Sequence, residues 1–221
     1  MTASESGSIL ENMSQELPFS FDMKSAAFLV VDMQNDFVRS NAPLGVPDAL
    51  GTVDPINRVH RAFRLKNRPV IFTRFVAGPE ESLLWTWSPE IRKPTNCCKL
   101  GHKRYYEDIK AEQEVVAIID ESEKDEQDID VDKYWYGAFH RTNLEDVLAS
   151  YGVDSVVVSG TVTQICVEET ARQAFHHGYK TIVLSDCVSS FDPQLHDATL
   201  KNLGMKFGAV LSSTEFLKLI E

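Results

Sequence analysis

Residues 154–186 read DSVVVSGTVTQICVEETARQAFHHGYKTIVLSD, and the architecture of the whole chain follows from the pattern they contain. The apolar runs at 154–160 and 180–186 are typical of strands that are buried on both faces of a sheet. Between them, residues 166–178 carry acids in the first turn and end at Gly178, which indicates a helix. A strand, a helix and a second strand in this order form a right-handed crossover, so the two strands are predicted to be parallel.

The same alternation extends towards both termini. AAFLVVD at 26–32 is a continuous apolar run that ends in an acid, and RPVIFTR at 68–74 is a second predicted strand. Between them, 54–65 has apolar residues near a 3.6-residue period, which predicts a helix. Further predicted elements are helices at 142–152, 193–203 and 213–220 and a short strand at 204–212. We predict a doubly wound three-layer α/β/α fold with a mostly parallel sheet of about six strands.

Two parts of the chain lack this alternation. Residues 1–23 show no sustained periodicity, and we treat them as an N-terminal extension that precedes a single domain at 24–221. Residues 76–130 contain two tryptophans and two adjacent cysteines with little periodicity, which is typical of a functional lid or an interface. The acidic run at 120–130 within that segment is most simply a solvated surface turn.

Composition excludes several classes of protein. The chain has 221 residues, of which 43% are hydrophobic, with 22 basic and 33 acidic side chains and a formal net charge of −11. This excess of acidic side chains does not favour binding to nucleic acid or to an anionic membrane. No apolar run approaches the length of a membrane span. The four cysteines are too few and too irregularly spaced for a disulfide framework, so we expect free thiols and a cytosolic protein.

Cys166 is the candidate nucleophile. It lies where the predicted helix 166–178 begins, and the helix dipole there is expected to lower the pKa of the thiol. The preceding loop, 160–165, is not a glycine-rich phosphate cradle, so its backbone amides are free to form an oxyanion hole. The alternative is that Cys166 is a small buried apolar residue, as most free cysteines are.

A cysteine nucleophile needs a base. His176 and His177 lie ~15 Å along the same helix from the thiol, which excludes them, whereas spacing alone does not exclude His140. Asp32 is the better candidate because it ends a buried strand at the same edge of the sheet, where an acid is otherwise costly. Its alternative role is to cap the turn that follows. Lys133 is a candidate for the compensating cation, although a surface lysine is the simpler interpretation of that residue taken alone.

Three segments, FLVVDMQNDF at 28–37, DKYWYGAFHRTNLEDVL at 132–148 and the run 159–190, resemble the isochorismatase-like cysteine hydrolases. The resemblance covers about residues 26–211 and implies that Cys166 is the nucleophile, Asp32 the base and Lys133 the orienting cation. It further implies a cis peptide between Thr161 and Val162, an oxyanion hole formed by the amides of Val162 and Cys166, and a pocket lined by Phe37. In this family, assembly into homodimers or homotetramers is common.

Departures within the family narrow the expected chemistry. The nicotinamidases carry a histidine-rich metal site after the strand that ends here near Arg74, and RFVAGPEES at 74–82 offers no histidine. Cys97 and Cys98 with His102 form too loose a pattern to replace that site, so we predict no metal and no cofactor. Retention of Cys166 favours amide chemistry over the vinyl-ether cleavage of isochorismatases proper. Residues 83–109, LLWTWSPEIRKPTNCCKLGHKRYYEDI, look most like the corresponding segment of the ureidoacrylate or biuret amidohydrolases.

The sequence therefore predicts an amidohydrolase that acts on a small ureido, carbamoyl or amide substrate and releases ammonia. Two alternatives stay open: vinyl-ether hydrolysis, and a non-catalytic relative that binds a protein partner. Candidate substrate-binding residues are those that supply polar donors or flat walls: Phe37, Arg74, Trp85, Trp87, Lys103, Arg104, Tyr134 and Gln164.

Overall fold

The computed structural model describes residues 17–221, so the predicted extension falls largely outside the described residues. Within the described part, Leu17, Phe19, Phe21 and Met23 pack against the core. Phe21 meets Phe216 edge to face, with the ring centroids 5.6 Å apart. The segment that immediately precedes the first strand is therefore held by apolar contacts.

Eight strands and seven α-helices make up the regular structure of residues 17–221. The strands are β1 (Ala26–Val31), β2 (Val70–Phe75), β3 (Lys103–Tyr106), β4 (Ala111–Glu114), β5 (Ile129–Lys133), β6 (Ser155–Thr161), β7 (Lys180–Ser189) and β8 (Ala209–Leu211). The helices are α1 (Asn35–Val38), α2 (Val53–Leu65), α3 (Leu84–Trp87), α4 (Leu144–Ser150), α5 (Glu168–His176), α6 (Pro193–Lys206) and α7 (Ser213–Leu219). A π-helical turn, Thr163–Val167, leads into α5.

Six strands form one parallel sheet in the order β5-β2-β1-β6-β7-β8, and β3 pairs with β4 in a separate antiparallel hairpin. From β1 the chain first builds outward through β2 to β5 and then returns to add β6, β7 and β8 on the other side. The strand order thus reverses between β1 and β6. In open α/β sheets a ligand binds at such a switch point, beyond the carboxyl ends of the strands.

Alternate side chains of β1 enter two different cores. Ala26, Phe28 and Val30 pack with the apolar face of α2 and with Phe216 of α7. The intervening Ala27, Leu29 and Val31 pack with buried residues of α4, α5 and α6. Because both faces of the strand are covered, its side chains are all apolar. The predicted three-layer α/β/α fold with a six-stranded sheet is confirmed.

Two element boundaries differ from the sequence prediction. The predicted strand 204–212 starts too early, because α6 continues through Gly204 to Lys206 and β8 occupies only Ala209–Leu211. The chain turns at Gly208 instead, where a β-carbon would lie 2.3 Å from the Thr181 carbonyl oxygen. The helix predicted at 166–178 in fact begins with the π turn at Thr163, so Cys166 lies within a turn and not at a helix end.

The segment 76–130 contains more structure than its sequence indicates. It holds the β3–β4 hairpin and the start of β5, so the acidic run at 120–130 is not wholly a surface turn. β5 is an edge strand whose side chains alternate between inside and outside, which is why IDVDK lacks an apolar run. Among residues 17–221, no helix is both long and apolar enough to cross a membrane.

Candidate active site

The topology brings an acid and an ammonium group together at the switch point. Asp32 directly follows β1 with φ at +52°, and Lys133 is the last residue of β5. Both side chains are fully buried, and Lys133 Nζ lies 2.7 Å from Asp32 Oδ2. Thr73 of β2, the strand between them, donates a hydrogen bond to Asp32 Oδ1 at 2.8 Å. The ammonium also donates to the Trp135 carbonyl at 3.1 Å.

The environment keeps Lys133 charged. Burial alone disfavours the ammonium, but the negative charge of Asp32 and the neighbouring Cys166 outweigh it and raise the pKa of Lys133 above its usual value. Lys133 Nζ also lies 5.4 Å from the centre of the Phe75 ring. Asp32 Oδ2 is buried and contacts the Lys133 ammonium, whereas Thr73 binds the other oxygen, Oδ1. A carboxylate oxygen has two lone pairs, so Oδ2 can take a proton while it contacts the ammonium.

Cys166 completes the group. Its side chain is 4% exposed, and its thiol lies close enough to Asp32 and Lys133 to interact with both. Burial raises the pKa of Cys166 to about 12; the Lys133 charge opposes this rise and the Asp32 charge adds to it. The lowered pKa expected from a helix start is therefore wrong for the free site, because desolvation outweighs any dipole effect. A thiol with a raised pKa requires a neighbouring base if it is to act as a nucleophile.

The loop that carries Cys166 is held by short contacts. The Thr161–Val162 peptide is cis. The Val162 carbonyl accepts hydrogen bonds from the backbone amides of Ile165 and Val167, both at 3.1 Å, which close the π turn. The hydroxyl of Thr163 contacts the Ser189 carbonyl at 3.0 Å. The backbone around the thiol is thus fixed to the end of β7.

A cavity of about 260 Å³ opens onto Cys166. Its walls come from α1, the end of β2, the end of β6 with the π turn that follows, and four loops, and they are mostly apolar. The lining residues are Phe37, Pro43, Leu44, Gly45, Phe75, Ser88, Tyr136, Val162, Ile165, Cys166 and Phe191. The only side-chain hydroxyls among them, those of Ser88 and Tyr136, lie 3.5 Å apart.

Of the substrate-binding candidates named from the sequence, only Phe37 lines this cavity. Arg74 binds Asp132 through two hydrogen bonds of 2.7 and 3.0 Å. Trp85 packs against the core, whereas Trp87 is 78% exposed. Tyr134 is also exposed.

The remaining candidates have other partners. The side-chain oxygen of Gln164 accepts a hydrogen bond from Ser190 at 2.7 Å. Arg104 contacts Asp36 at 2.9 Å, and Lys103 is exposed on β3. His140, the base that spacing did not exclude, is exposed and packs against Trp135 away from the cavity lining.

Sequence reasoning missed Phe75 and Tyr136. Each lies one or two positions from a candidate that was named, Arg74 and Tyr134. Successive side chains of a strand point to opposite faces, so Phe75 faces the site when Arg74 faces Asp132. This alternation is the sequence signal that could have identified Phe75 on β2. The other wall residues that were missed lie outside strands, where the sequence shows no such alternation.

A second group of polar side chains lies next to the cavity. Donor atoms of Asp36, Cys97 and Cys98, all buried, lie within 4.8 Å of one another and could hold a metal ion. The Asp36 carboxylate already accepts hydrogen bonds from the Cys98 amide, Arg104 and Tyr106. Burial raises the pKa of Cys98; at Cys97 the contact with Cys98 lowers the pKa, but burial and the Asp36 charge outweigh it and raise the pKa. Asp36 is better explained as an anchor for the loop.

Comparison with known proteins gives consistent results. Arabidopsis thaliana nicotinamidase 3 is 32% identical over 187 residues, which cover 83% of each chain. The ureidoacrylate amidohydrolase RutB of Agrobacterium fabrum is 29% identical and covers 92% of this chain and 93% of its own. A cysteine hydrolase structure from Pseudomonas syringae pv. phaseolicola superposes with a TM-score of 0.81 at 26% identity, covering 92% of this chain and 96% of that one. Since the isochorismatase domain model also matches residues 26–215, the chain belongs to the isochorismatase family.

Proposed function

We propose that this protein is a cysteine-dependent amidohydrolase that cleaves the C–N bond of a small amide, ureido or carbamoyl compound. The observation that carries the proposal is the buried contact between Asp32, Lys133 and Cys166 at the switch point of the sheet. Nucleophilic catalysis needs a nucleophile, a base and a group that orients the base. The thiol, the carboxylate and the fixed ammonium can supply these three functions. Two relatives, a nicotinamidase and a ureidoacrylate amidohydrolase, are named for reactions on amides.

The first half-reaction begins with proton transfer. Asp32 takes the proton of Cys166, and the thiolate attacks the amide carbon. Lys133 remains an ammonium throughout and compensates the negative charge that passes between carboxylate and sulfur. The tetrahedral oxyanion is stabilised by the backbone amides of Val162 and Cys166. The C–N bond then breaks, and the nitrogen leaves as ammonia with the proton returned by Asp32.

The second half-reaction restores the enzyme. Asp32 removes a proton from water, the hydroxide attacks the thioester carbon, and the C–S bond breaks. The proton passes from Asp32 back to the sulfur, which leaves the free acid and the resting thiol.

Ammonia release from a panel of small amides tests the proposal. The panel contains nicotinamide, biuret, ureidoacrylate, maleamate and N-carbamoyl amino acids. The Cys166→Ala variant is expected to lose turnover while remaining folded by circular dichroism. Cys187→Ala, which removes another buried thiol away from the cavity, is the matched control and is expected to retain activity.

Two outcomes would reject the covalent route. Normal ammonia release by Cys166→Ala would show that the thiol is not the nucleophile. Pyruvate release from a chorismate-type vinyl ether, surviving loss of the thiol, would instead favour the isochorismatase reaction. Assembly into a homodimer or homotetramer stays a prediction, which analytical ultracentrifugation tests directly.

A further inference from the structure

The cavity beside Cys166 is shaped by aromatic and aliphatic side chains. Phe37 and Phe75 lie in its wall with their ring centroids 6.4 Å apart, and Leu44, Ile165 and Phe191 add further apolar surface. A flat apolar group placed here loses water contacts and gains ring contacts, both of which favour binding. Apart from the Cys166 thiol, the polar side-chain groups on this wall are the neighbouring hydroxyls of Ser88 and Tyr136.

Four positively charged groups of the surrounding segments are paired with acids. Arg74 holds Asp132, Arg92 binds Glu81 and the Trp85 carbonyl, and Arg39 is 2% exposed against Glu121. Lys133 is fully buried against Asp32. Within residues 17–221, no lysine, arginine or histidine lines the cavity.

An anionic substituent on a substrate would therefore lose its hydration in this cavity without gaining a positively charged partner. A carboxylate that enters an apolar cavity loses its hydration, and the hydroxyls of Ser88 and Tyr136 do not replace that hydration or supply a positive charge. A carbonyl or an ether oxygen needs only one donor, which either hydroxyl supplies.

We infer that the substrate of this site is an uncharged primary amide or terminal carbamoyl compound whose remaining part is flat and apolar, and that carboxylate-bearing amides are rejected. The inference rests on the proposed function, because it places the reactive amide at Cys166. It separates this chain from its ureidoacrylate amidohydrolase relative, whose substrate name denotes a carboxylic acid.

Two nearly isosteric probes test the inference, 4-acetylbenzamide and 4-carbamoylbenzoate. They share the ring and the primary amide and differ only in an uncharged acetyl against an anionic carboxylate. With the wild-type protein we expect kcat/KM for ammonia release to be at least about 100-fold higher for the acetyl compound. Binding of both probes to the Cys166→Ala variant, measured by saturation-transfer NMR, is expected to show the same preference.

The outcomes separate this inference from the proposed function. Equal or preferred hydrolysis of the carboxylate overturns the inference and leaves the amidohydrolase proposal standing. Selective binding of the acetyl compound without ammonia release from either probe supports the inference and counts against the proposed function. Binding of neither probe at millimolar concentration overturns the inference.

A charge introduced at the rim tests the cause of the selectivity. Phe191 lines the cavity but is 54% exposed, so substitution there spares the core. Phe191→Arg is expected to raise kcat/KM for 4-carbamoylbenzoate relative to 4-acetylbenzamide by about 10-fold. Phe191→Gln, a polar but uncharged control, is expected to leave the ratio within about twofold. A ratio unchanged by Phe191→Arg would show that the missing positive charge does not set the preference.

Discussion

At the scale of single residues, the ion pair between Asp32 and Lys133 has opposing effects on stability and on chemistry. Both groups are fully buried, so each loses its hydration, and much of their attraction at 2.7 Å compensates that loss. Such a pair is weak evidence for a purely structural role. The desolvation of both charges is understandable if they serve the chemistry of the Cys166 thiol beside them.

Removing only one partner of the pair is therefore expected to be harmful. Lys133→Met leaves a buried carboxylate without its cation and is expected to lower the free energy of unfolding by about 3–5 kcal/mol, measured by urea denaturation. The double variant Asp32→Asn with Lys133→Met removes both charges and is expected to recover at least half of that loss. If the double variant is as unstable as Lys133→Met, packing and not charge explains the loss.

His196 contacts the loop that carries Cys166, and we expect it to position that loop. Its Nδ1 atom lies 3.0 Å from the Thr163 hydroxyl. That hydroxyl donates to the Ser189 carbonyl at 3.0 Å, so it must accept its second hydrogen bond from a protonated Nδ1. The two bonds in series tie the loop that carries Cys166 to α6.

Two substitutions at His196 distinguish this role. Asn places a side-chain N–H close to the position of Nδ1, whereas Ala removes the donor. We expect His196→Ala to lower kcat roughly 10-fold to 100-fold with little change in KM, because a displaced thiol attacks less often. His196→Asn is expected to recover most of kcat. Equal kcat values for the Ala and Asn variants would contradict the hydrogen-bond role.

At the scale of elements, apolar runs carried the fold prediction well. β1 is an unbroken run of buried apolar residues, and β6 and β7 contain the buried apolar runs VVV at 156–158 and IVL at 182–184, which identify these strands in the sequence. β5 is an edge strand with acids on its outer face, and nothing in IDVDK distinguishes it from a polar loop. A strand could thus be predicted from the sequence where both of its faces are buried, and not where one face is exposed at the edge of the sheet.

The candidate site was less predictable from physics alone. Asp32 and Cys166 follow from their positions after strands, whereas Lys133 on its own was more simply a surface lysine until the family resemblance was considered, because its strand was not recognised. The cavity walls at Leu44, Ser88 and Phe191 lie on loops, and no periodic pattern places a loop residue at a particular point in space. Pairing of Arg74 with Asp132 depends on two strands being neighbours, which only the topology reveals.

Close approach of β1 and β6 positions the site, and Gly160 permits it. Its φ is +103°, and a β-carbon there would lie 2.0 Å from the Val31 carbonyl oxygen. Gly160→Ala is expected to lower the free energy of unfolding by on the order of 3 kcal/mol, through backbone strain together with a clash against backbone.

Gly51→Ala is the matched control, since a β-carbon at Gly51 meets no atom within 4 Å. Both variants are compared by urea denaturation, and Gly51→Ala is expected to lie within about 0.5 kcal/mol of wild type. A Gly160→Ala protein as stable as this control would show that the two strands can separate at the site without cost.

At the scale of the whole molecule, the fold hides three of its four thiols and leaves one at a cavity. Cys97, Cys98 and Cys187 are 0% exposed, and Cys166 alone among the four lines the cavity at the switch point. Burial raises the pKa of Cys187 and of Cys98 as it does that of Cys166, so ionisation alone does not single out one of these thiols. Access to reagent, together with the neighbouring Asp32 carboxylate, is what distinguishes Cys166.

Alkylation of the native protein by iodoacetamide near neutral pH tests this distinction. We expect peptide mapping by mass spectrometry to find Cys166 modified at least about 10-fold faster than the other cysteines, because only its thiol meets both the reagent and a base. Asp32→Asn is expected to slow that modification, and 4-acetylbenzamide is expected to protect against it. In urea, where burial is lost, all four thiols should react at similar rates. Equal rates in the native protein, or first modification of Cys97 or Cys98, would place the reactive thiol elsewhere and remove the basis for a catalytic Cys166.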